Sequence, residues 1–177
     1  MSDTVTMTRI EPTIRPARAD DAEPMAAYHH RCSIEAFSPI VDGARFDRLD
    51  PRRRVETFRG WIEEPESTVH VVEFDGAVIA HLVVRHDEIV HLFVDPDHWG
   101  LGLGRRLLSL GEDLLREAGH RRMELHTMVD NRPAIALYES AGWVVTDGLL
   151  HQETDGVEYD EHVLVKHLDD SAGSTNP

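Results

Sequence analysis

Seven short segments of the chain are rich in apolar and β-branched residues, and each predicts a β-strand. They cover residues 8–15, 68–74, 77–85, 88–94, 122–128, 143–150 and 159–168. Pro12 and Pro16 interrupt or end the first segment, which favours the edge of a sheet. Asp75-Gly76 predicts a tight hairpin between the second and third segments, and Thr154-Asp155-Gly156 predicts another between the last two.

Four other segments place apolar residues at helical spacing. They cover residues 20–34, 51–62 and 131–141, together with a segment that follows Gly104 and ends near residues 118–119. Asp20 is predicted to cap the first of these helices, and Pro24 is tolerated in its first turn. Gly142 is predicted to end the last one.

The order of these segments predicts the fold class. Antiparallel strands come first, then a crossover helix, then further strands, which is typical of an α/β or α+β protein. We expect a mixed, mainly antiparallel central sheet of six to seven strands flanked by helices. Residues 1–168 are predicted to form a single domain, and the small polar residues 169–177 a flexible tail.

Composition narrows the classes of partner. The chain has 177 residues, 41% of them hydrophobic and 29% charged, which suits one globular domain. Its net charge of -15 argues against duplex nucleic acid or an anionic membrane as partner. There is no apolar run of about 18 residues and no apolar signal core near the N-terminus, so we expect a cytoplasmic protein.

Cysteine and histidine usage gives no metal or disulfide site. Cys32 is the single cysteine, so it cannot form an internal disulfide, and small-residue packing is its expected role. The 12 histidines include no pair at metal-ligand spacing on a convincing helix, and no metal is expected. Lys166 is the single lysine among the 18 basic residues.

The stretch 95–108, DPDHWGLGLGRRLL, connects a predicted strand to a predicted helix through Gly100, Gly102 and Gly104. Backbone without Cβ atoms can approach a ligand closely, and the first amides of a helix lie at the positive end of its dipole, so this geometry favours phosphate binding. A P-loop is excluded because no lysine follows the last glycine. A dinucleotide site stays a rival, since the spacing is GxGxG rather than GxGxxG while Glu124 ends up near the position of a ribose-binding acid.

Two motifs in this order resemble the GNAT superfamily of N-acetyltransferases. Gly102 and Gly104 match the small residues of the pattern Gln/Arg-x-x-Gly-x-Gly/Ala, and Trp99 stands where Gln or Arg is usual. Residues 131–143, NRPAIALYESAGW, resemble the pattern Asn-x-x-Ala-x-x-Leu-Tyr-x-x-x-Gly-Phe, with Trp143 in place of Phe. The resemblance implies a GNAT-like fold with acetyl-CoA as cosubstrate.

The resemblance also implies roles for individual residues. The coenzyme would contact the strand before the loop, the loop with the helix start, and the start of the fourth helix; the matching residues are Leu92, Phe93, Val94, Gly100, Leu101, Gly102, Leu103, Gly104, Arg105 and Asn131. Tyr138 would protonate the coenzyme sulfur, because a phenol is neutral near pH 7. Glu88 would accept the amine proton, and His126, on the adjacent strand, is the alternative base.

These observations predict an acetyl-CoA-dependent N-acetyltransferase in which a primary amine of a small molecule or a protein N-terminus attacks directly in a ternary complex. Transfer of a longer acyl group is one alternative. A coenzyme A-binding sensor or interaction module without turnover is another. The expected partners are acetyl-CoA and an amine acceptor, with no nucleic acid and no membrane, and a homodimer is left open.

Overall fold

The computed structural model describes residues 11–37, 50–154 and 157–168. One seven-stranded sheet runs through it, in the spatial order β1-β2-β3-β4-β5-β7-β6. The strands are β1 (Thr13–Pro16), β2 (Ser67–Phe74), β3 (Ala77–Arg85), β4 (Glu88–Val94), β5 (Arg122–Met128), β6 (Val144–Thr154) and β7 (Val157–His167). The helices are α1 (Ala22–Phe37), α2 (Pro51–Glu63), α3 (Leu103–Glu117) and α4 (Arg132–Ser140).

The sheet is mixed and mainly antiparallel, which confirms the predicted fold class. β4 and β5 form its parallel pair, and α3 is the crossover between them. β1 lies at one edge, as its prolines predict, although residues 8–10 of that predicted strand lie outside the described residues. Asp75 (φ 50°) and Gly76 (φ 76°) form the predicted β2–β3 turn, whereas Asp155 and Gly156 lie outside the described residues.

The predicted cap at Asp20 is wrong. Asp20 lies within a short 3-10 turn, Ala19–Asp21, that leads into α1. The neighbouring Asp21 accepts a hydrogen bond from the Arg18 amide (2.7 Å) and pairs with Arg15 of β1 (2.7 Å). Asp21 therefore bonds back to the residue before the turn, and α1 begins after it at Ala22.

Each face of the sheet carries its own hydrophobic core. The first core lies against α3 and α4 and contains Leu82, Ile89, Leu107, Leu125 and Tyr138, among others. The second lies under α1 and α2 and includes Met25, Tyr28, Phe58, Val71 and Val83. In α2 the cap is Asp50, whose carboxylate accepts from the Arg52 amide (2.9 Å), and Phe58 is fully buried.

A buried polar network joins α3 to β7 and to Trp143. Glu112 of α3 accepts from the Trp143 indole (2.8 Å) and pairs with Lys166 of β7 (2.7 Å). The Lys166 ammonium also donates to the Ala141 carbonyl (2.7 Å). The carboxylate is therefore compensated by a charge and by hydrogen bonds, as burial requires.

Across the described ranges, no helix combines the length and apolarity that crossing a bilayer takes.

Candidate functional site

The parallel strands β4 and β5 are paired only at the start of β4, which lies opposite the middle of β5. The register joins Glu88 with Glu124 and Ile89 with Leu125, and the strands separate beyond that point. On its other side β4 stays paired with β3 through Val94, although Val90 is an extra, unpaired residue in that ladder. A gap therefore opens between β4 and β5 while β4 itself stays anchored.

The bulge at Val90 determines which backbone groups of β4 face this gap. The Asp95 amide donates to Ile79 of β3 (2.8 Å). Because successive residues of an antiparallel strand alternate in direction, the amide and carbonyl of Leu92 and of Val94 point away from β3, into the gap. Phe93, the third strand residue in the predicted coenzyme site, is opposite His81, and its backbone is directed towards β3.

The glycine-rich loop follows β4 and leads into α3. Gly100 (φ 78°) and Gly102 (φ 76°) have left-handed backbone that favours glycine, and Gly102 is the N-cap of α3. The first intrahelical bond runs from the Arg106 amide to the Gly102 carbonyl (3.1 Å). The amides of residues 103–105 thus have no intrahelical acceptor and lie at the positive end of the dipole, an arrangement that binds anions.

Gly104 and Arg105 belong to the first turn of α3 rather than to the loop. A Cβ atom at Gly104 would lie 3.3 Å from the Leu137 side chain of α4, so any larger residue here would have to displace that side chain slightly. The Arg105 guanidinium donates to the Ser140 hydroxyl (2.8 Å), which ties the start of α3 to the end of α4. Leu101, at the tip of the loop, is 60% exposed.

Glu88 and His126, the two candidate bases, lie together where the gap begins. The Glu88 carboxylate is 3.4 Å from Nδ1 of His126, and Nε2 of the same ring is 3.0 Å from Glu124. All three side chains share the sheet face that carries the second core, because Glu124 and His126 are two residues apart on β5 and Glu88 is paired with Glu124. One imidazole therefore connects two carboxylates.

The pKa values of the two carboxylates, Glu88 and Glu124, shift in opposite directions. Burial raises the pKa of Glu88, with His126 acting against this and Glu124 adding to it. The pKa of Glu124 is lowered instead: burial opposes the shift, but hydrogen bonds from His126 and Arg122 outweigh it. Burial also raises the pKa of Glu161, on the neighbouring strand β7. A carboxylate with a raised pKa is a better proton acceptor near neutrality.

Tyr138 and Asn131 occupy opposite ends of α4. Tyr138 is 7% exposed in the first core, and burial raises the pKa of its phenol to about 12. Asn131 is the N-cap: its side-chain oxygen accepts from the Ala134 amide (3.4 Å), and its nitrogen donates to the Thr127 hydroxyl (3.3 Å). The predicted coenzyme contact at Asn131 thus coincides with a capping role.

A cavity of about 570 Å³ lies between α1 and α2. Its wall includes His29, Arg54 and Glu153. The His29 ring stacks on His91 of β4 (centroids 5.3 Å apart), and His91 is 3.3 Å from Nε2 of His81. These three residues form the histidine cluster. The one signal in the sequence is that His81 and His91 interrupt otherwise apolar strands.

Solved acetyltransferase structures share this fold. The GCN5-related N-acetyltransferase from Rhodopseudomonas palustris aligns with a TM-score of 0.74 over 91% of this chain and 99% of its own, at 20% identity. The protein yncA from Salmonella typhimurium, solved with its cofactor acetyl-CoA, aligns with a TM-score of 0.68 over 91% of this chain and 96% of its own, at 25% identity. The architecture is therefore that of an acyltransferase.

The chain belongs to the GNAT family of acetyltransferases, whose family model matches residues 34–143. Among curated relatives, the mycothiol acetyltransferase of Clavibacter sepedonicus is 36% identical over 129 residues. That alignment covers 71% of this chain and 40% of the relative. The chain thus spans well under half the length of that relative.

Proposed function

We propose that this protein is an acetyl-CoA-dependent N-acetyltransferase that acetylates a primary amine of a small molecule. The observation that carries the proposal is the gap between β4 and β5. It begins at a carboxylate-imidazole pair and leads towards a helix N-terminus with free amides. A ligand with an anionic end and a reactive end needs both features.

The residues of the site fit acetyl-CoA. The amides of residues 103–105 would hold its phosphates, and the gap-facing backbone of Leu92 and Val94 would hydrogen-bond its amide-containing arm. When bound, it supplies an acetyl group as a thioester: the amine nitrogen would bond to the carbonyl carbon, and the coenzyme thiolate would leave. The side chains of the gap then need only accept one proton and donate another.

Glu88 and His126 act together as the proton acceptor. An ammonium must lose a proton before its nitrogen can attack, and Glu88 is the carboxylate whose pKa is raised by burial. His126, 3.4 Å away, orients that carboxylate and can pass the proton on. Glu124 holds the other ring nitrogen of His126 (3.0 Å), which fixes the ring.

Tyr138 donates the second proton. Its phenol stays protonated at neutral pH, because burial raises its pKa to about 12. A neutral hydroxyl can donate a hydrogen bond to the coenzyme sulfur as negative charge develops there. The ring is held in the first core with the side chains of α3, on the face of the sheet opposite Glu88.

Direct attack by the amine is favoured over an acyl-enzyme. The reactive form of a cysteine is the thiolate, and burial raises the pKa of Cys32 to about 12. Its thiol also donates to the Val94 carbonyl (3.1 Å). Cys32 is therefore a neutral hydrogen-bond donor, and the acceptor amine is left as the nucleophile.

The cavity between α1 and α2 supports a small-molecule acceptor. Its volume of about 570 Å³ falls in the usual range for small-ligand sites. Its wall carries both signs of charge, with Glu23, Asp50 and Glu153 as acids and Arg53 and Arg54 as bases. We infer an acceptor of mixed polarity rather than an apolar one.

The test is to mix the protein with acetyl-CoA and a panel of amines and to measure released thiol. The panel contains amino acids, diamines, aminoglycosides and short peptides with a free N-terminus. Thiol release with a small amine supports the proposal, and release only with peptides moves the acceptor to a protein N-terminus. Thermal stabilisation by coenzyme A without turnover of any amine would identify a binding module instead.

A further inference from the structure

Trp99 is the residue at which the first motif departs from the GNAT pattern, and the structure gives it a specific contact. Its indole N–H donates to the Val94 carbonyl at 2.7 Å. The Cys32 thiol donates to the same carbonyl at 3.1 Å. The last residue of β4 is thus held from two sides, by the glycine-rich loop and by α1.

The bonded carbonyl is one of the groups that face the gap. Val94 precedes Asp95, whose amide is bonded to β3, so the Val94 carbonyl points the opposite way. Because Trp99 occupies the Val94 carbonyl, the nearest gap-facing carbonyl that stays available on β4 is that of Leu92, two residues earlier in the strand. The indole therefore limits how an amide-containing ligand can align with the strand.

The surroundings of this contact are rigid. Asp95 is 4% exposed and forms an ion pair with Arg31 of α1, which also reaches Asp97 (3.3 Å). Trp99, by contrast, is 49% exposed, so about half of its surface makes no packing contact. What Trp99 adds is a fixed link between the end of β4 and the loop that begins α3.

We infer that Trp99 is a positioning residue for the coenzyme: it holds the gap and the anion-binding helix start at a fixed separation. This inference rests on the proposed function. A ligand that occupies both places at once gains from a site that is already aligned, because less ordering is needed on binding. A ligand that occupies the helix start alone gains nothing from the link.

The decisive variant is Trp99→Phe, which keeps an aromatic ring and deletes the N–H donor. The matched control is Trp143→Phe, which also removes an indole hydrogen bond, to Glu112, but lies in the first core away from the gap. Dissociation constants are measured by calorimetry for two probes. Coenzyme A spans the gap and the helix start, whereas 3′-phosphoadenosine diphosphate lacks the arm that enters the gap.

Trp99→Phe is expected to weaken coenzyme A binding by roughly three- to tenfold, the usual effect of one lost hydrogen bond. The affinity of Trp99→Phe for 3′-phosphoadenosine diphosphate should stay within about twofold of the parent, because this probe does not enter the gap that the substitution alters. The KM for acetyl-CoA should rise in step while kcat changes little. Trp143→Phe should lower the melting temperature and leave both affinities unchanged.

Three results would overturn the inference. They are unchanged coenzyme A affinity in Trp99→Phe, equal weakening of both probes, and equal weakening by Trp143→Phe. Equal weakening of both probes would make Trp99 a direct contact of the phosphate end. If the parent protein binds neither probe, the proposed function fails as well, so the two failures are distinguishable.

Discussion

At the residue scale, the sequence presents Glu88 and His126 as rivals, and the structure makes them partners. Their side chains are 3.4 Å apart at the point where β4 and β5 separate. Groups that share a proton do not contribute independently. The useful experiment therefore compares the two single variants with the double variant.

Glu88→Gln and His126→Gln are each expected to reduce kcat/KM by about 10²- to 10⁴-fold, the range for loss of a general base. The double variant should be little worse than either single one, because the residues act as a unit. In the parent, activity should fall as the pH drops through the raised pKa of Glu88, since the protonated carboxyl cannot accept a proton. Thiol release measured from pH 5 to 9 gives these profiles.

A double variant whose loss equals the product of the two single losses would show independent roles. An acid limb that disappears in His126→Gln but persists in Glu88→Gln would move the base to His126. Glu88 would then be an ordinary partly buried acid at the start of a strand.

Tyr138→Phe tests the proton donor. The substitution keeps the buried ring and removes the hydroxyl, so coenzyme A affinity should persist while kcat falls by roughly ten to ten thousandfold. Calorimetry with coenzyme A and thiol-release rates measure the two quantities. A full rate in a folded Tyr138→Phe protein would return Tyr138 to a packing role in the first core.

Sequence reasoning named several residues that the structure brings to the gap, and for Asn131 the structure adds contacts that the sequence did not predict. Asn131 matches a family motif, yet its side chain is engaged as the cap of α4 and with Thr127. The His29–His91 stack was not predictable, because α1 and β4 are distant in sequence and nothing in the local pattern fixes which side chains meet. A histidine within an apolar strand indicates burial but not its partner.

At the scale of elements, α3 has a left-handed glycine at each end, and these provide a matched pair. Gly102 (φ 76°) precedes the helix and Gly119 (φ 90°) follows it, and a Cβ at either position meets nothing within 4 Å. Alanine at either site should cost about 1–2 kcal/mol of stability through left-handed backbone strain. The two variants therefore disturb the same helix equally.

Only Gly102→Ala is expected to weaken coenzyme A binding, by roughly tenfold or more, which corresponds to about 1.4 kcal/mol. The reason is that a shift at Gly102 reorients the free amides at the helix start, whereas Gly119 is at the other end. Calorimetry and chemical denaturation separate affinity from stability. Equal affinities in the two alanine variants would move the anion site away from α3.

The elements themselves were largely predictable. β4 and β5 have the bounds that their apolar runs predict, and α3 ends at Glu117, just before the predicted stop at residues 118–119. The separation of β4 from β5 cannot be predicted from the local pattern, because Val90 is an ordinary strand residue and its bulge follows from the pairing of β3 with β4. The cap predicted at Asp20 was wrong because a 3-10 turn, Ala19–Asp21, precedes α1, and its Asp21 is held by Arg15 of another element.

At the scale of the whole molecule, the histidine cluster predicts sensitivity to acid. Burial lowers the pKa of His29 and of His81 well below the ordinary value, and lowers that of His91 to about 3. Arg54 adds to each of these shifts, since a nearby positive charge disfavours imidazolium. The folded protein therefore keeps three imidazoles neutral that the unfolded chain protonates near pH 6.5.

Stability should be fully present above about pH 6.5 and fall as the pH drops below that value. The three histidines together can change the free energy of unfolding by at most about 4 kcal/mol per pH unit. The raised pKa values of Glu88 and Glu161 change it in the opposite direction. Urea denaturation at pH 7.5, 6.5 and 5.5 measures the slope. His91→Phe should reduce the total change in stability between pH 7.5 and 5.5 by about 1.4 kcal/mol, and an unchanged slope would contradict the assignment.

Lys166 is the single lysine of the sequence, and its ammonium is bonded to Glu112 and to the Ala141 carbonyl, both at 2.7 Å. The folded protein thus withholds its one side-chain amine from the acyl donor that it is proposed to use. Acylating reagents would reach that nitrogen when α3 and β7 part. The fraction of the Lys166-containing peptide that carries an acyl mass shift would therefore measure the fraction of molecules in which α3 and β7 have separated. Self-acylation of Lys166 in the folded protein would contribute little signal to an assay of amine acylation.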